Sequence, residues 1–158
     1  MGFYCEAIMA DVNVDVLGME DLGVVADMYR QVFKPARDVE SFKRRFAGRH
    51  KPLILVASRE GHPVGFYLGF ELKPDVFFTW LLGVLPDSRR AGVATQLMDA
   101  GEAWAGGEGY ERIRFECQNY ARPMLQLAIA GGYDVTGLRW DGDLGTNLVI
   151  FEKHVRSG

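Results

Sequence analysis

The stretch Val84-Leu85-Pro86-Asp87-Ser88-Arg89-Arg90-Ala91-Gly92-Val93-Ala94 carries the residue types from which an anion site is made. A long apolar run, 76–85, precedes it, and Val93, Leu97, Gly101 and Trp104 follow at helical spacing. A helix starting near Arg89 presents up to about four backbone N–H groups without internal partners. It also presents the positive end of its dipole, so phosphate suits it best. Gly92 lets the main chain approach a bulky anion, Ala91 and Ala94 keep the wall low, and Arg89 and Arg90 add two full charges. The same residues also describe an ordinary strand-to-helix turn with two solvated arginines. GxxxxGK[ST] and GxGxxG are both absent from the sequence, which argues against a P-loop or a Rossmann dinucleotide site.

The elements that must hold this turn follow from periodicity and punctuation. Residues 12–17 read as a strand. Leu22, Val25, Tyr29 and Val32 form one helical face, stopped by Pro35. Asp38 is placed to cap a shorter helix with Val39, Phe42 and Phe46 inward, closing on Lys43-Arg44-Arg45 and Gly48. Strands are expected over 53–58 and 64–72, joined by a turn at Glu60-Gly61-His62-Pro63, and over 76–85. The last is apolar at almost every position, so it is expected at the centre of the sheet, buried on both faces. A helix to about Ala105, a strand 112–117, a helix 123–130 and strands 133–137 and 146–153 complete the order β-α-α-β-β-β-α-β-α-β-β. The second half holds two β–α–β units, expected to run parallel with right-handed crossovers.

The chain has 158 residues and a net charge of −3, which suits one domain, 1–158, with its core at 12–153. A nucleic-acid binder is usually basic overall, so no nucleic-acid partner is expected. Cys5 and Cys117 lie far apart, and His50, His62 and His154 are scattered. The expectation is therefore no metal, no disulfide framework and a reducing, cytoplasmic setting. No run of 18 apolar residues occurs, so no membrane partner is expected. Residues 1–6 read as neither a signal peptide nor a myristoylation signal.

Val84–Ala94 resembles motif A of the GNAT N-acetyltransferase superfamily, an Arg/Gln-x-x-Gly-x-Gly/Ala signature met by Arg89, Gly92 and Ala94. Val64-Gly65-Phe66, Gly131-Gly132-Tyr133 and the element order resemble that family as well. The resemblance implies an α/β (α+β) fold: a mixed, mostly antiparallel sheet of about seven strands flanked by about four helices. It also implies acetyl-CoA as co-substrate. The pyrophosphate would lie on the amides of Arg89, Arg90, Ala91, Gly92, Val93, Ala94 and Thr95. The pantetheine arm would lie along Val84 and Leu85, in a gap between the fourth and fifth strands. A backbone N–H near Leu85 would meet the thioester oxygen. The implied reaction is direct transfer of an acetyl group to a small-molecule or peptide amine in a ternary complex. The acceptor pocket would be built from the first two helices, their loop and the last hairpin.

This sequence departs from the family at the general acid. The usual Tyr, five residues before Tyr133, is Ala128, and the Asn expected at Ala121 lies two residues early, at Asn119. Tyr120 is the candidate replacement acid, or else an amphipathic residue at the edge of the core. Glu116 is the candidate base, with Glu71 as another, or else Glu116 is the ion-pair partner of Arg114 or a neighbouring arginine. Cys117 is expected to pack as a small apolar residue. Lys43-Arg44-Arg45 with Arg49-His50-Lys51 reads as a solvated helix end, with contact to the CoA 3′-phosphate or nucleic acid as alternatives. The acidic run Trp140-Asp141-Gly142-Asp143 fits a plain turn or a lure for a cationic amine. An acyl-CoA-binding sensor or scaffold without turnover is the alternative function, and an exposed edge strand would allow a homodimer.

Overall fold

The computed structural model describes residues 12–89 and 91–155. Arg90 and Cys5 therefore lie outside the described residues. Seven strands form one sheet in the order β1-β2-β3-β4-β5-β7-β6. They are β1 (Asn13–Leu17), β2 (Leu53–Arg59), β3 (His62–Lys73), β4 (Val76–Val84), β5 (Arg112–Gln118), β6 (Asp134–Asp141) and β7 (Thr146–His154). The helices are α1 (Leu22–Val32), α2 (Val39–Phe46), α3 (Val93–Gly107) and α4 (Arg122–Ala130), with short 3-10 turns at Met19–Asp21 and Pro86–Ser88. All neighbouring strands are antiparallel except β4 and β5.

Local chemistry accounts for most boundaries. Asp38 caps α2, its carboxylate accepting from the Ser41 N–H at 2.8 Å. The β2–β3 turn is tighter than expected. Glu60 and Gly61 alone occupy it, with φ of 52° and 80°, and Arg59 pairs with His62. Two consecutive residues at positive φ match the twist of a hairpin, so His62 and Pro63 join β3 instead. Pro63 is tolerated because the register slips beside its partner Ser58. The second β–α–β unit also departs from expectation: β7 lies between β5 and β6, so β5 and β6 share a direction without pairing.

The sheet separates two cores. On one side α3 and α4 cover Leu55, Tyr67, Phe77, Ile113 and Phe151, and α3 contributes Val93, Leu97 and Met98. On the other, Leu22, Val25 and Tyr29 of α1 and Phe42 and Phe46 of α2 cover Ile54, Phe66, Leu68 and Phe70. Full burial of one such side chain contributes about 1.5–3 kcal/mol, so each layer has ample driving force.

One irregularity shapes the site. In the β3–β4 ladder Leu68 faces Leu81 and Gly69 faces Thr79, which leaves Trp80 as an unpaired extra residue. Such a bulge bends its strand and sharpens the twist. Past it, β4 leaves β5: their pairing ends at Thr79 and Phe115, while β5 stays paired with β7 as far as Gln118. β4 is thus central but not fully buried, since Trp80, Leu81 and Leu82 are only half-buried where β5 has departed.

Gly69 sits against this bulge. A Cβ there would stand 2.6 Å from the Phe77 ring and 2.8 Å from the Phe78 carbonyl oxygen. Phe77 is fully buried and the carbonyl belongs to the backbone, so neither yields without cost. Gly69→Ala is expected to destabilise the protein by about 1–3 kcal/mol. The readout is a lower urea midpoint with an unchanged slope. A midpoint equal to the parent's would mean that the bulge is loosely packed.

Candidate active site

The parted strands open one cavity of about 670 Å³, whose lining includes Leu82, Gly83 and Val84 of β4, Gly92–Thr95 at the start of α3, and Met124 and Leu127 of α4. Val32, Phe33, Ser88, Arg89, Pro123 and Gln126 also border it. Among the described residues no strand pairs with the β4 edge on this side beyond Thr79. The Leu85 N–H donates to the Val64 carbonyl at 2.9 Å, across the β3 ladder. Antiparallel pairing alternates inward and outward main-chain groups, so Leu82 and Val84 turn theirs away from β3 and toward the gap. The donor expected near Leu85 is therefore not Leu85's own N–H; the neighbouring Val84 N–H is the one turned toward the gap. The Leu85 N–H is used within the sheet, and the Leu85 side chain packs against the α1–α2 core.

The helix mouth also differs from expectation. The chain makes a 3-10 turn at Pro86–Ser88 before α3 begins at Val93, four residues later than expected. The Arg89 N–H is taken by the Pro86 carbonyl at 3.4 Å, and the Arg89 Nε donates to the Val84 carbonyl at 3.2 Å. Arg89 therefore ties the turn to β4 and brings its charge to the rim. Gly92 caps α3 with φ 81° and ψ 8°, a left-handed conformation that favours glycine. The first bond of the helix runs from the Gln96 N–H to the Gly92 carbonyl at 3.1 Å. The amides of Val93, Ala94 and Thr95 precede it and face a cavity they help to line. Ala91 does not line the cavity and packs against the α3–α4 core instead.

The fit to a coenzyme A tail rests on these observations. A main-chain strand edge is available to an extended amide-bearing arm. A glycine-capped helix mouth is available to a diphosphate, and the α4 side of the cavity offers the apolar Met124 and Leu127.

The catalytic candidates separate. Glu116 follows Phe115, the last β5 residue paired with β4. Phe115 and Cys117 join the α3–α4 core, so Glu116 projects from the opposite face, as Trp80 does. The two stand on either side of the point where the strands part. Glu116 is 13% exposed, and its Oε1 accepts from Arg139 Nε at 3.2 Å and Nη2 at 2.7 Å. The expected alternative, an ion pair, is thus present, and the partner is Arg139 rather than Arg114. Arg114 pairs with Glu152 at 2.6 Å. Glu71 is far from the gap. It pairs across to Phe77 near the start of β4, and its carboxylate accepts from the Tyr110 hydroxyl at 2.8 Å. Neither Glu116 nor Tyr120 lines the cavity; Glu116 is largely covered beside the parting of β4 and β5, whereas Tyr120, past the end of β5, is 64% exposed.

Ala128, at the usual tyrosine position, is fully buried. Tyr133 is no substitute, because its hydroxyl donates to Glu102 at 2.9 Å. Burial and the Glu102 charge push its ionisation well above the ordinary tyrosine range. Burial pushes the Cys117 thiol up to about 11, which keeps it protonated at neutral pH and unsuited to carry an acyl group. The acidic run at Asp141 is a satisfied turn: the Asp141 carboxylate accepts from the N–H groups of Asp143 and Leu144 at 3.0 and 3.3 Å. Among the described residues no group of three or more His, Cys, Asp or Glu side chains is placed to hold a metal. No helix among them is long and apolar enough to cross a membrane.

A mixed seven-stranded sheet parted at its middle, with a glycine-capped helix beside the parting, is the architecture of an acetyltransferase. The family model of the acetyltransferase (GNAT) family matches residues 23–128, and the chain belongs to that family. The fold is similar to that of the ribosomal-protein-S18-alanine N-acetyltransferase of Escherichia coli, at TM-score 0.80 and 14% identity, over 93% of this chain and 96% of that one. It is similar to Ard1 of Thermoplasma volcanium, at TM-score 0.77 and 17% identity, over 92% and 99%. A GNAT family acetyltransferase of Elizabethkingia anophelis, solved with acetyl-CoA bound, matches at TM-score 0.75 and 13% identity, over 91% and 98%. No curated protein matches the sequence.

Proposed function

We propose that this protein transfers the acetyl group of acetyl-CoA directly to an amine, both substrates being bound together. The observation that carries the reading is the β4 edge left without a partner strand at Leu82 and Val84, where Arg89 Nε reaches the Val84 carbonyl, beside the Gly92 helix mouth and in one cavity. The amides of Val93, Ala94 and Thr95 would hold the diphosphate, with Arg89 at the rim. The Leu82 and Val84 main chain would pair with the pantetheine arm, and one of their N–H groups would meet the acyl oxygen as negative charge builds there. Acetyl-CoA supplies the activated acyl group.

The acceptor approaches from the face that carries Glu116. An ordinary amine of pKa about 10.4 is neutral in only about one molecule per thousand at pH 7, a deficit of roughly 4–5 kcal/mol. Expelling a thiolate of pKa near 8.5 costs only about 2 kcal/mol at the same pH. A base is therefore worth more than an acid, and Glu116, beside the parting of the strands, would be that base. The low cost of the leaving step agrees with the absence of a tyrosine at position 128. Tyr120→Phe is expected to leave kcat within about twofold of the parent. A drop of tenfold or more in a continuous thiol-release assay would return Tyr120 to the mechanism.

The alternative is an acyl-CoA sensor, favoured by one observation: among the described residues Arg89 is the only charged side chain lining the cavity. Calorimetric titration with coenzyme A tests the site that both readings need. Thiol release across an amine panel separates them, because only the transferase releases thiol when an amine is added. The same proposal sets the reaction in the cytoplasm, where the Cys117 thiol stays reduced. A homodimer would form on β6, an edge strand that leaves Leu138 and Trp140 exposed.

A further inference from the structure

The basic run after α2 is not a plain solvated helix end. The Arg45 guanidinium lies 5.4 Å from the centre of the Trp80 ring and 5.6 Å from that of Phe70. Arg37, from the α1–α2 loop, lies 5.6 Å from the same Trp80 ring and 5.7 Å from Tyr29. Arg49 lies 4.6 Å from Phe70. Three guanidiniums thus share one aromatic floor, built from Phe70 and Trp80, which pack together at 6.3 Å, and from Tyr29. Among the described residues none of the three has an ion pair, whereas Arg30, Arg114 and Arg139 each have one and Arg112 has two. The carboxylates beside them are engaged elsewhere. Asp38 caps α2, Asp27 pairs with Arg30, and Glu40 pairs with Lys43. Burial, and repulsion from Arg49 and Arg37, hold the Arg45 guanidinium below its ordinary value, so the crowding is felt electrostatically.

A guanidinium within about 6 Å of ring centres is attracted to their faces, and its N–H donors stay available for a carboxylate or phosphate. The place of the cluster gives this meaning. Trp80 is the bulged residue at which β4 parts from β5, and it shares a face with Glu116 across that parting. A molecule held over Trp80 by its anionic end would lie on the face of the sheet that carries Glu116.

We propose that Arg37 and Arg45, with Arg49 behind them, form an anion subsite for the acceptor, whose substrate class is an amine that also carries a carboxylate or phosphate. The inference rests on the acetyltransferase reading for the word acceptor, but anion binding at the cluster can be measured without turnover. Tryptophan fluorescence is titrated with inorganic phosphate and, separately, with succinate, in the parent, Arg45→Gln and Trp80→Phe. A saturable change in the parent, weakened at least ~10-fold by Arg45→Gln and absent in Trp80→Phe, is expected. An unsaturable response, or one indifferent to Arg45, overturns the subsite.

With acetyl-CoA present, O-phosphoethanolamine and β-alanine are compared with ethanolamine and propylamine, and the two pairs distinguish phosphate from carboxylate. An anionic member is expected to exceed its neutral counterpart in kcat/KM by at least ~10-fold. Arg37→Gln and Arg45→Gln should raise its KM by a similar factor, leaving the KM of acetyl-CoA and kcat on the neutral amine unchanged. Equal use of charged and neutral amines overturns the substrate class. So does capture of a single-stranded oligonucleotide that depends on the same arginines and outcompetes phosphate. Saturable anion binding with no thiol release from any amine would leave the subsite standing and count against the transferase reading alone. Arg45→Lys keeps the charge without the forked guanidinium donors and should restore only part of the effect.

Discussion

Gly92→Glu is expected to weaken coenzyme A binding by at least ~100-fold while the protein remains folded. Three effects point the same way. Gly92 stands at φ 81°, where any other L-residue is strained by about 1–2 kcal/mol. A side chain there competes with the ligand for the space that glycine leaves beside the amides of Val93, Ala94 and Thr95. The carboxylate then places negative charge at the spot where the helix dipole attracts a diphosphate. Gly92→Ala isolates the first effect and should cost about 1–2 kcal/mol of stability with a much smaller loss of affinity. Calorimetry with coenzyme A, beside far-UV circular dichroism, provides the readout. Parent-like affinity in a folded Gly92→Glu protein would remove the helix mouth from the site.

Glu116→Gln is expected to lower kcat about 10²–10³-fold at pH 7 with little change in the KM of acetyl-CoA. Glutamine keeps the shape and an acceptor for Arg139, so the lesion is loss of the base. The sign of the pH dependence follows. Without a base the reaction draws on amine that is already neutral, and that fraction rises about tenfold per pH unit until the amine's own pKa. The variant profile should therefore climb steeply between about pH 7 and 9 and approach the parent at the alkaline end. Parallel profiles, or an unchanged kcat, would leave Glu116 as a structural partner of Arg139 and nothing more.

The fold was largely legible because its signals are local. Asp38 caps a helix whose Phe42 and Phe46 recur four apart. Glu60-Gly61 turns a hairpin, and Pro86 ends the apolar run that became the central strand. The helix mouth was legible in kind, since Gly92 between small residues has few other uses. Its start was misplaced because nothing local distinguishes a 3-10 turn at 86–88 from the first turn of a helix.

What sequence reading missed is long-range. The bulge at Trp80 lies inside a run in which almost every residue is apolar, so no alternation marks where the register slips. Of the expected Val84 and Leu85 only Val84 turns its main chain toward the gap, joined by Leu82, because the Leu85 N–H is spent on Val64. The partner of Glu116 was equally hidden, because Arg139 reaches it from β6, across a β7 that sits between the two strands. The aromatic floor under Arg37 and Arg45 joins residues from α1, β3 and β4, which no spacing rule connects.

The sheet also acts as a partition. Leu97, Ile113 and Phe115 pack on one side, while Phe42, Phe66 and Phe70 pack on the other with no shared side-chain cluster. Substitutions at sites farther apart than about 7–10 Å and without common partners add to within about 0.3–0.5 kcal/mol. Core substitutions on the two sides are therefore expected to add in their cost to stability, and the cavity, bordered by Val32 and Phe33 from one layer and by Met124 and Leu127 from the other, is where the two halves of the molecule meet.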